Sequence, residues 1–343
     1  MATIRDVAKK AGVSISTVSR VLNGRNMISD EKKQQVWDAV NSLNYTPKPR
    51  GRHTQKSGKN KKTIMVLTTS PVAKIIDGIC DAARQFDYDT IITITHQNES
   101  NAYVKYVEEG LVSGIVLLNI RLLPEISESL LSKCPIVQCN EYEYFPRANL
   151  VTIDNIEATR DITTHLIATG KRRLAFISPQ YHYGYRIKFA QDREYGFRRA
   201  LEENDIEINN DNIIRTSFET AAGNFEEYIA NTNSLITELL SRPEANRPDG
   251  IVCTNDEIAA CCINVAKKMG IKIPEELAVT AFDNTITCLL TDPFITSIEH
   301  PNYEMGYESA KLLISVIDEK PKVSKQVLLG HKLAKRGSSI RIQ

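Results

Sequence analysis

Residues 3–23 read TIRDVAKKAGVSISTVSRVLN, and the spacing of their apolar positions decides what the front of the chain is. Ile4, Val7, Ala8 and Ala11 recur at helical intervals, with Thr3 placed to cap the first turn and Asp6 as the acid at its third position. Gly12 stops that helix. Ser14 caps a second one, Ile15 to Leu22, which turns Val18, Val21 and Leu22 inward and Ile15, Ser16, Thr17 and Arg20 outward. A turn of a few residues between two such helices is the spacing of a helix-turn-helix. A third helix is predicted from Ser29, with Asp30 and Glu31 in its first turn, Val36, Ala39, Val40 and Leu43 buried, and an end before Pro47.

The outward face of the second helix carries small, hydroxyl and guanidinium groups that can approach base edges. Arg20 can pair with a guanine or a phosphate, and the hydroxyls of Ser14, Ser16, Thr17 and Ser19 suit phosphate oxygens as well as bases. Three-helix heads also serve as protein-interaction modules, so this architecture alone leaves both readings open. Charge favours a polyanion. Residues 1–62 carry 14 Lys+Arg against 4 Asp+Glu, whereas the rest of the 343-residue chain carries 29 against 38.

With 42% apolar and 25% charged residues, two or three globular units are expected. The start, MATIRDVAKK, has no apolar signal-peptide core, and no run approaches the ~18 apolar residues of a membrane span. A cytosolic protein without membrane contact is the expectation. The seven cysteines form no CxxC pair and no Cys/His cluster with zinc spacing, so they read as apolar filler in a reducing compartment, and neither metal nor cofactor is expected.

Beyond residue 62 the rhythm changes. Short apolar runs at Thr63–Thr68, Asp89–Thr95, Gly114–Leu118, Ile136–Cys139, Leu174–Ser178, Gly250–Cys253 and Leu277–Phe282 alternate with amphipathic helices, which implies parallel sheets covered on both faces and two α/β lobes. Such lobes hold ligands beyond the carboxyl ends of their strands. Ser70, Asn140, Glu141, Asn255, Asp256, Asp283 and Asn284 stand there, although each could equally cap the helix that follows.

Thr3-Ile4-Arg5-Asp6-Val7-Ala8, Ala11-Gly12-Val13-Ser14 and Thr17-Val18-Ser19-Arg20-Val21-Leu22-Asn23 resemble the signature of the LacI/GalR family of bacterial regulators. Val151-Thr-Ile-Asp154-Asn155, Arg193-Glu-Tyr-Gly196, Asn255-Asp256-Glu-Ile-Ala259, Phe282-Asp283, Pro293-Phe-Ile-Thr296 and Met305-Gly306 follow the same family in order. The resemblance implies an all-α helix-turn-helix head on an α/β body of two doubly wound parallel-sheet lobes, similar to periplasmic sugar-binding proteins. It implies a recognition helix in the major groove with Ile15, Ser16 and Arg20 at base-reading positions, and Thr3, Ser14, Thr17, Ser19 and Asn23 complete the expected DNA-facing set. It further implies a homodimer on pseudo-palindromic double-stranded operator DNA. In the family the Arg of R-x-x-G, the Asn-Asp pair and the Asp after Phe line an effector cleft; here these are Arg193, Asn255, Asp256 and Asp283. Ser70, Asn140 and Phe218 are expected beside them.

The expected boundaries are a head at 1–46, a linker at 47–62 and a body at 63–343, the body split into a lobe of 63–157 and 294–325 and a lobe of 158–293 and 326–343. The linker departs from the family. Lys48, Gly51 and Thr54 replace the usual Asn, Ala and Leu of a hinge helix, and Pro47, Pro49, Gly51 and Gly58 make a poor helix. Its Pro49-Arg50-Gly51-Arg52 core resembles the AT-hook of chromatin proteins, in which an extended arm lies in a narrow A·T minor groove. A minor-groove arm using Arg50 and Arg52, a basic linker touching phosphates, and a folded hinge helix all stay open.

The effector is expected to be a sugar or sugar derivative, because a guanidinium and carboxylates suit adjacent hydroxyls; a non-sugar metabolite such as a nucleobase is the alternative. The cleft also differs from the family: the loop after the first strand is short, Tyr181, Tyr183 and Tyr185 crowd a long later loop, and His300 stands where Gln is usual. Effector binding is expected to close the lobes and alter operator affinity. The chain ends without a heptad helix, so a dimer is expected rather than a tetramer. An uptake-type solute-binding protein fits the body but not the basic head. No phosphate loop, nucleophile elbow or metal cluster supports an enzyme, and no catalytic residue is assigned.

Overall fold

The computed structural model describes residues 3–22, 28–43, 45, 62–95, 103–120, 122, 124–140, 142, 148–181, 188–218, 225–321 and 323–341. Asn23, Tyr183, Tyr185 and the basic segment with Arg50 and Arg52 lie outside them, so the readings of the linker are carried forward untested. The chain divides into two units, residues 1–60 and 61–343.

The first unit holds three helices, α1 (Ile4–Lys10), α2 (Ile15–Leu22) and α3 (Asp30–Ser42). Its core is the set the apolar spacing selects: Val7, Ala8, Val18, Val21, Val36, Ala39 and Val40, with Ile4, Leu22 and Leu43 packed against it. The backbone at Gly12 has φ +63°, a left-handed turn that an L side chain resists, so this residue brings α2 back across α1. Asp6 accepts hydrogen bonds from both the amide (2.8 Å) and the hydroxyl (2.7 Å) of Thr3, which hold its carboxyl below the usual carboxylate range.

The second unit contains two six-stranded sheets. The first comprises β1 (Lys62–Thr68), β2 (Tyr88–Ile94), β3 (Gly114–Leu118), β4 (Ile136–Cys139), β5 (Asn149–Ile153) and β11 (Gln326–Leu329), in the order β11-β5-β4-β3-β1-β2. The second comprises β6 (Leu174–Tyr181), β7 (Ile213–Phe218), β8 (Gly250–Cys253), β9 (Ala278–Phe282), β10 (Thr296–Glu299) and β12 (Lys332–Ala334), in the order β12-β10-β9-β8-β6-β7. Every pairing is parallel except β10 with β12. Strands such as Gly114–Leu118 and Ala278–Phe282 are buried along their whole length, as strands covered by helices on both faces must be.

Helices α4 (Ala73–Gln85), α5 (Val104–Glu108), α6 (Pro124–Leu131) and α12 (Asn302–Glu319) accompany the first sheet. Helices α7 (Asn155–Ala168), α8 (Lys188–Glu202), α9 (Phe225–Leu240), α10 (Asp256–Lys268) and the short α11 (Thr287–Leu290) accompany the second. Each sheet reverses its strand order once, between β1 and β3 and between β6 and β8. Those are the positions where a doubly wound sheet opens a crevice at its carboxyl edge.

The chain passes between lobes three times, and two crossings fall away from the expected boundaries. Thr296–Glu299 pairs with β9 and so belongs to the second lobe, not the first. Gln326–Leu329 pairs with β5 and so belongs to the first lobe, not the second. The crossings follow Ile153, Glu299 and Leu329, because β10 extends the second sheet beside β9 and β11 extends the first beside β5 before the chain crosses.

Candidate DNA reader and effector cleft

On α2, Ser14 accepts a hydrogen bond from the Thr17 amide (3.1 Å) as the expected cap. Its hydroxyl is also hydrogen-bonded to those of Ser16 (2.7 Å) and Thr17 (2.8 Å). Three hydroxyls thus form one connected run on the outward side of the helix. Ile15 is exposed beside them and Ser19 is half-buried. Arg20 lies on the same helix, but its side chain is outside the description. Thr3 gives its hydroxyl to Asp6 within the head. These hydroxyls are short side chains able to rotate from their internal bonds to other partners.

In the body, the carboxyl ends of both sheets converge on Arg193. This residue is buried on α8, donates from Nε to Asn155 Oδ1 (2.8 Å) and from Nη1 to the Thr254 carbonyl just past β8 (2.7 Å). Its guanidinium lies 4.2 Å from the centre of the Phe282 ring and 5.2 Å from that of Phe189. The Arg-x-x-Gly motif has a packing reason: a Cβ on Gly196 would come within 2.2 Å of the Ile156 carbonyl. Only glycine lets α8 approach α7 closely enough for Arg193 to reach Asn155.

Asp283 follows β9 at φ +95°, with Asn284 after it at φ +49°. Asn284 is fixed by Glu299 (3.1 Å), by Arg336 (2.7 Å) and through its own amide by Ser297 (3.1 Å). The half-exposed Asp283 carboxylate is therefore carried on a rigid turn. His300 is buried edge-on to Phe282, 3.8 Å from Asp283, and its Nε2 has no hydrogen-bond partner among the described residues. Burial, reinforced by the positive charge of Arg193, pushes its pKa down to about 3, so the ring is neutral at physiological pH.

Asp256 departs from expectation. It is fully buried, and its carboxylate accepts from the Thr285 amide (2.6 Å), the Thr285 hydroxyl (2.8 Å) and Ser297 (2.8 Å). Its role is to anchor the turn bearing Asp283, and the expectation of a ligand contact from it is corrected. Asn255 uses its side-chain oxygen to cap α10 at the Ile258 amide (2.8 Å), the alternative that its position left open.

The first lobe presents amides and hydroxyls at its carboxyl edge. Asn140, at φ +69°, donates to Asn119 (2.9 Å), which donates to the carbonyl of the exposed Ser70 (3.2 Å). Asn119 follows β3 directly, so the strand-end rule that selected Asn140 applies to it equally. Phe218 ends β7, but its side chain is outside the description, as is that of Tyr181. A separate cavity of about 750 Å³ lies at the amino ends of β3, β4 and β5, on the far side of the first lobe from this cleft. Among the described residues no group of three or more His, Cys, Asp and Glu could hold a metal, and no helix is long and apolar enough to cross a membrane.

Comparison with known proteins accounts for both parts. Residues 3–48 match the model of bacterial regulatory proteins of the lacI family, and residues 163–339 match that of a periplasmic binding protein-like domain. The HTH-type transcriptional regulator RegA of Clostridium acetobutylicum is 30% identical over 98% of this chain and 99% of its own. The HTH-type transcriptional repressor CytR of Escherichia coli K12 is 29% identical over 98% of this chain and 96% of its own. The solved complex of the transcriptional regulator CelR with cellobiose superposes with a TM-score of 0.70 at 24% identity, covering 98% of this chain and 100% of that one. With the reader helix, the paired doubly wound sheets and relatives aligned from end to end, the chain belongs to the LacI family and is a DNA-binding transcription regulator with an effector-binding body.

Proposed function

We propose that the chain is a cytosolic, homodimeric repressor of carbohydrate-use genes that binds a pseudo-palindromic operator and takes a sugar or sugar derivative between its lobes. The observation that carries the ligand class is the set around Phe282: a guanidinium stacked on an aromatic ring, a carboxylate on a rigid turn, and a neutral imidazole with an unused nitrogen. A hydroxyl both donates and accepts, so neighbouring hydroxyls of a polyol can satisfy Asp283 and His300 together. Arg193, Asp283, Asn255, Ser70, Asn140 and Phe218 are the proposed effector residues. The cellobiose complex of CelR supports the class, and the likeness to the transcriptional repressor CytR supports the direction of control.

The dimer is supported by apolar side chains that a monomer has no use for exposing: Ile286 (67% exposed), Leu290 (77%) and Phe294 (51%) beside α11, and Ile94 (62%) on the edge strand β2. Sedimentation at micromolar concentration should give a two-chain mass. The operator is proposed to be read by Ile15, Ser16 and Arg20, with Thr3, Ser14, Thr17, Ser19 and Asn23 supporting, and by Arg50 and Arg52 at A·T-rich centres. Replacing both arginines with Ala should weaken A·T-centred operators more than G·C-centred ones; equal losses would make the arm a phosphate contact alone.

The deciding experiment is a thermal-shift screen of sugars, sugar phosphates and nucleobases. A ligand at 100 times its Kd stabilises by about 2.7 kcal/mol. A shift from a sugar that disappears in Asp283→Ala supports the proposal; shifts from nucleobases alone replace it with the non-sugar reading.

A further inference from the structure

Tyr142 stands just past the carboxyl end of β4 in the first lobe, and Asp192 stands on α8 in the second. The Tyr142 hydroxyl donates to Asp192 Oδ2 across the cleft. Both partners are held. Asp192 is buried, 8% exposed, and also receives Lys188 from one turn earlier on its own helix. The phenol is raised well above its usual range, first by burial and then by the adjoining carboxylate, with Asn155 and Arg193 acting against the rise. It is therefore a permanent donor at physiological pH. The four groups Tyr142, Asn155, Asp192 and Arg193 make one junction where the two lobes touch.

We infer that Tyr142 and Asp192 form a clasp that closes the lobes with the chain's own groups, so that the resting balance between open and closed cleft is set by this bond as well as by the effector. The inference rests on the reading of the body as a two-lobed binding domain, not on which ligand it takes. Three features make the bond suited to this. Its partners are 50 residues apart and belong to different lobes, so forming it requires the lobes to be together. The bond is charge-assisted and part-buried, and both conditions strengthen a hydrogen bond. Asp192 adjoins Arg193 in sequence, so whatever moves the clasp also moves the guanidinium at the centre of the cleft.

The consequence follows from linkage. A ligand that prefers the closed cleft loses affinity in proportion to the fraction of chains that are open. A built-in clasp keeps that fraction small. Lys188 shares the carboxylate but lies on the same helix, so it stabilises α8 without joining the lobes.

The test measures lobe separation directly, in full-length protein without ligand or operator. Spin labels are placed by Ser129→Cys on α6 and Glu238→Cys on α9, both exposed, in a Cys80→Ser background; the six other cysteines are buried. Labelled chains are diluted into unlabelled ones so that a single chain's distance is read. Tyr142→Phe, which removes one oxygen atom, and Asp192→Asn, which removes the charge, should each raise the ratio of long to short distances about tenfold. Lys188→Met should leave the distribution of the parent. An unchanged distribution in Tyr142→Phe overturns the clasp, as does an equal change in Lys188→Met, which would make the effect one of α8 alone. Failure of the sugar screen leaves this readout unaffected.

Discussion

The two lobes have the same strand order and face each other with opposite chemistry. The first offers neutral groups, Ser70, Asn119 and Asn140, linked amide to carbonyl. The second offers charge: Arg193 held by Asn155 and Thr254, Asp283 on a turn pinned by Asn284, and Asp256 buried beneath it. One topology therefore does not fix one kind of surface. Arg193 and Asp256 are each locked by several hydrogen bonds and Asp283 rides on the pinned turn, which places the oriented charge on one wall and neutral groups on the other. Tyr142 is where the neutral wall reaches over to the charged one.

The largest effect that would break this contrast is expected from Asp256→Ala. Removing a buried carboxylate strands the Thr285 amide and two hydroxyls, and should cost about 3–5 kcal/mol in urea unfolding. A loss below 1 kcal/mol would mean that the turn bearing Asp283 does not need this anchor. Gly196→Ala comes next, since its methyl must displace the Ile156 carbonyl; a loss of about 1–3 kcal/mol in thermal unfolding is expected.

His300 supplies a pH dependence. Its folded pKa, about 3, is below its unfolded value of 6.5, so the unfolded chain binds the proton more readily. The stabilisation is present above pH 6.5 and is lost as pH falls toward 3. Between about pH 6.5 and 5 the loss should be near ~1.5 kcal/mol, and His300→Gln should flatten that part of the stability curve. The smallest effect belongs to the first lobe: Asn140→Ala should cost about 1 kcal/mol, because the Asn119 oxygen it frees lies near solvent and water can replace the lost donor.

The head was almost wholly legible, because Val7, Val18, Val36 and Val40 announce their burial by helical spacing and Gly12 marks the turn. The strand-helix alternation likewise carried the doubly wound lobes. The lobe crossings were not legible. β10 and β11 are four residues each, and a strand that short shows which sheet it joins only through partners that lie well over a hundred residues away in the case of β11. Asp256 was misassigned for a related reason. A polar residue after a strand looks the same in sequence whether it points into a cleft or back toward Thr285 and Ser297. Tyr142 and Asp192 carried no signal, since a hydroxyl and a carboxylate 50 positions apart acquire meaning only when two lobes meet.

The threefold passage of the chain between lobes also constrains how the protein comes into being. Neither sheet is whole until its outer strand, β11 or β12, has been synthesised, so the first lobe cannot close on its edge before residue 329 is released, nor the second before residue 334. The head, complete by residue 45, needs no such delay and can fold while the body is still being translated. A premature stop codon near position 320 would strip an edge strand from both lobes at once and leave a nascent DNA reader attached to a body unable to respond.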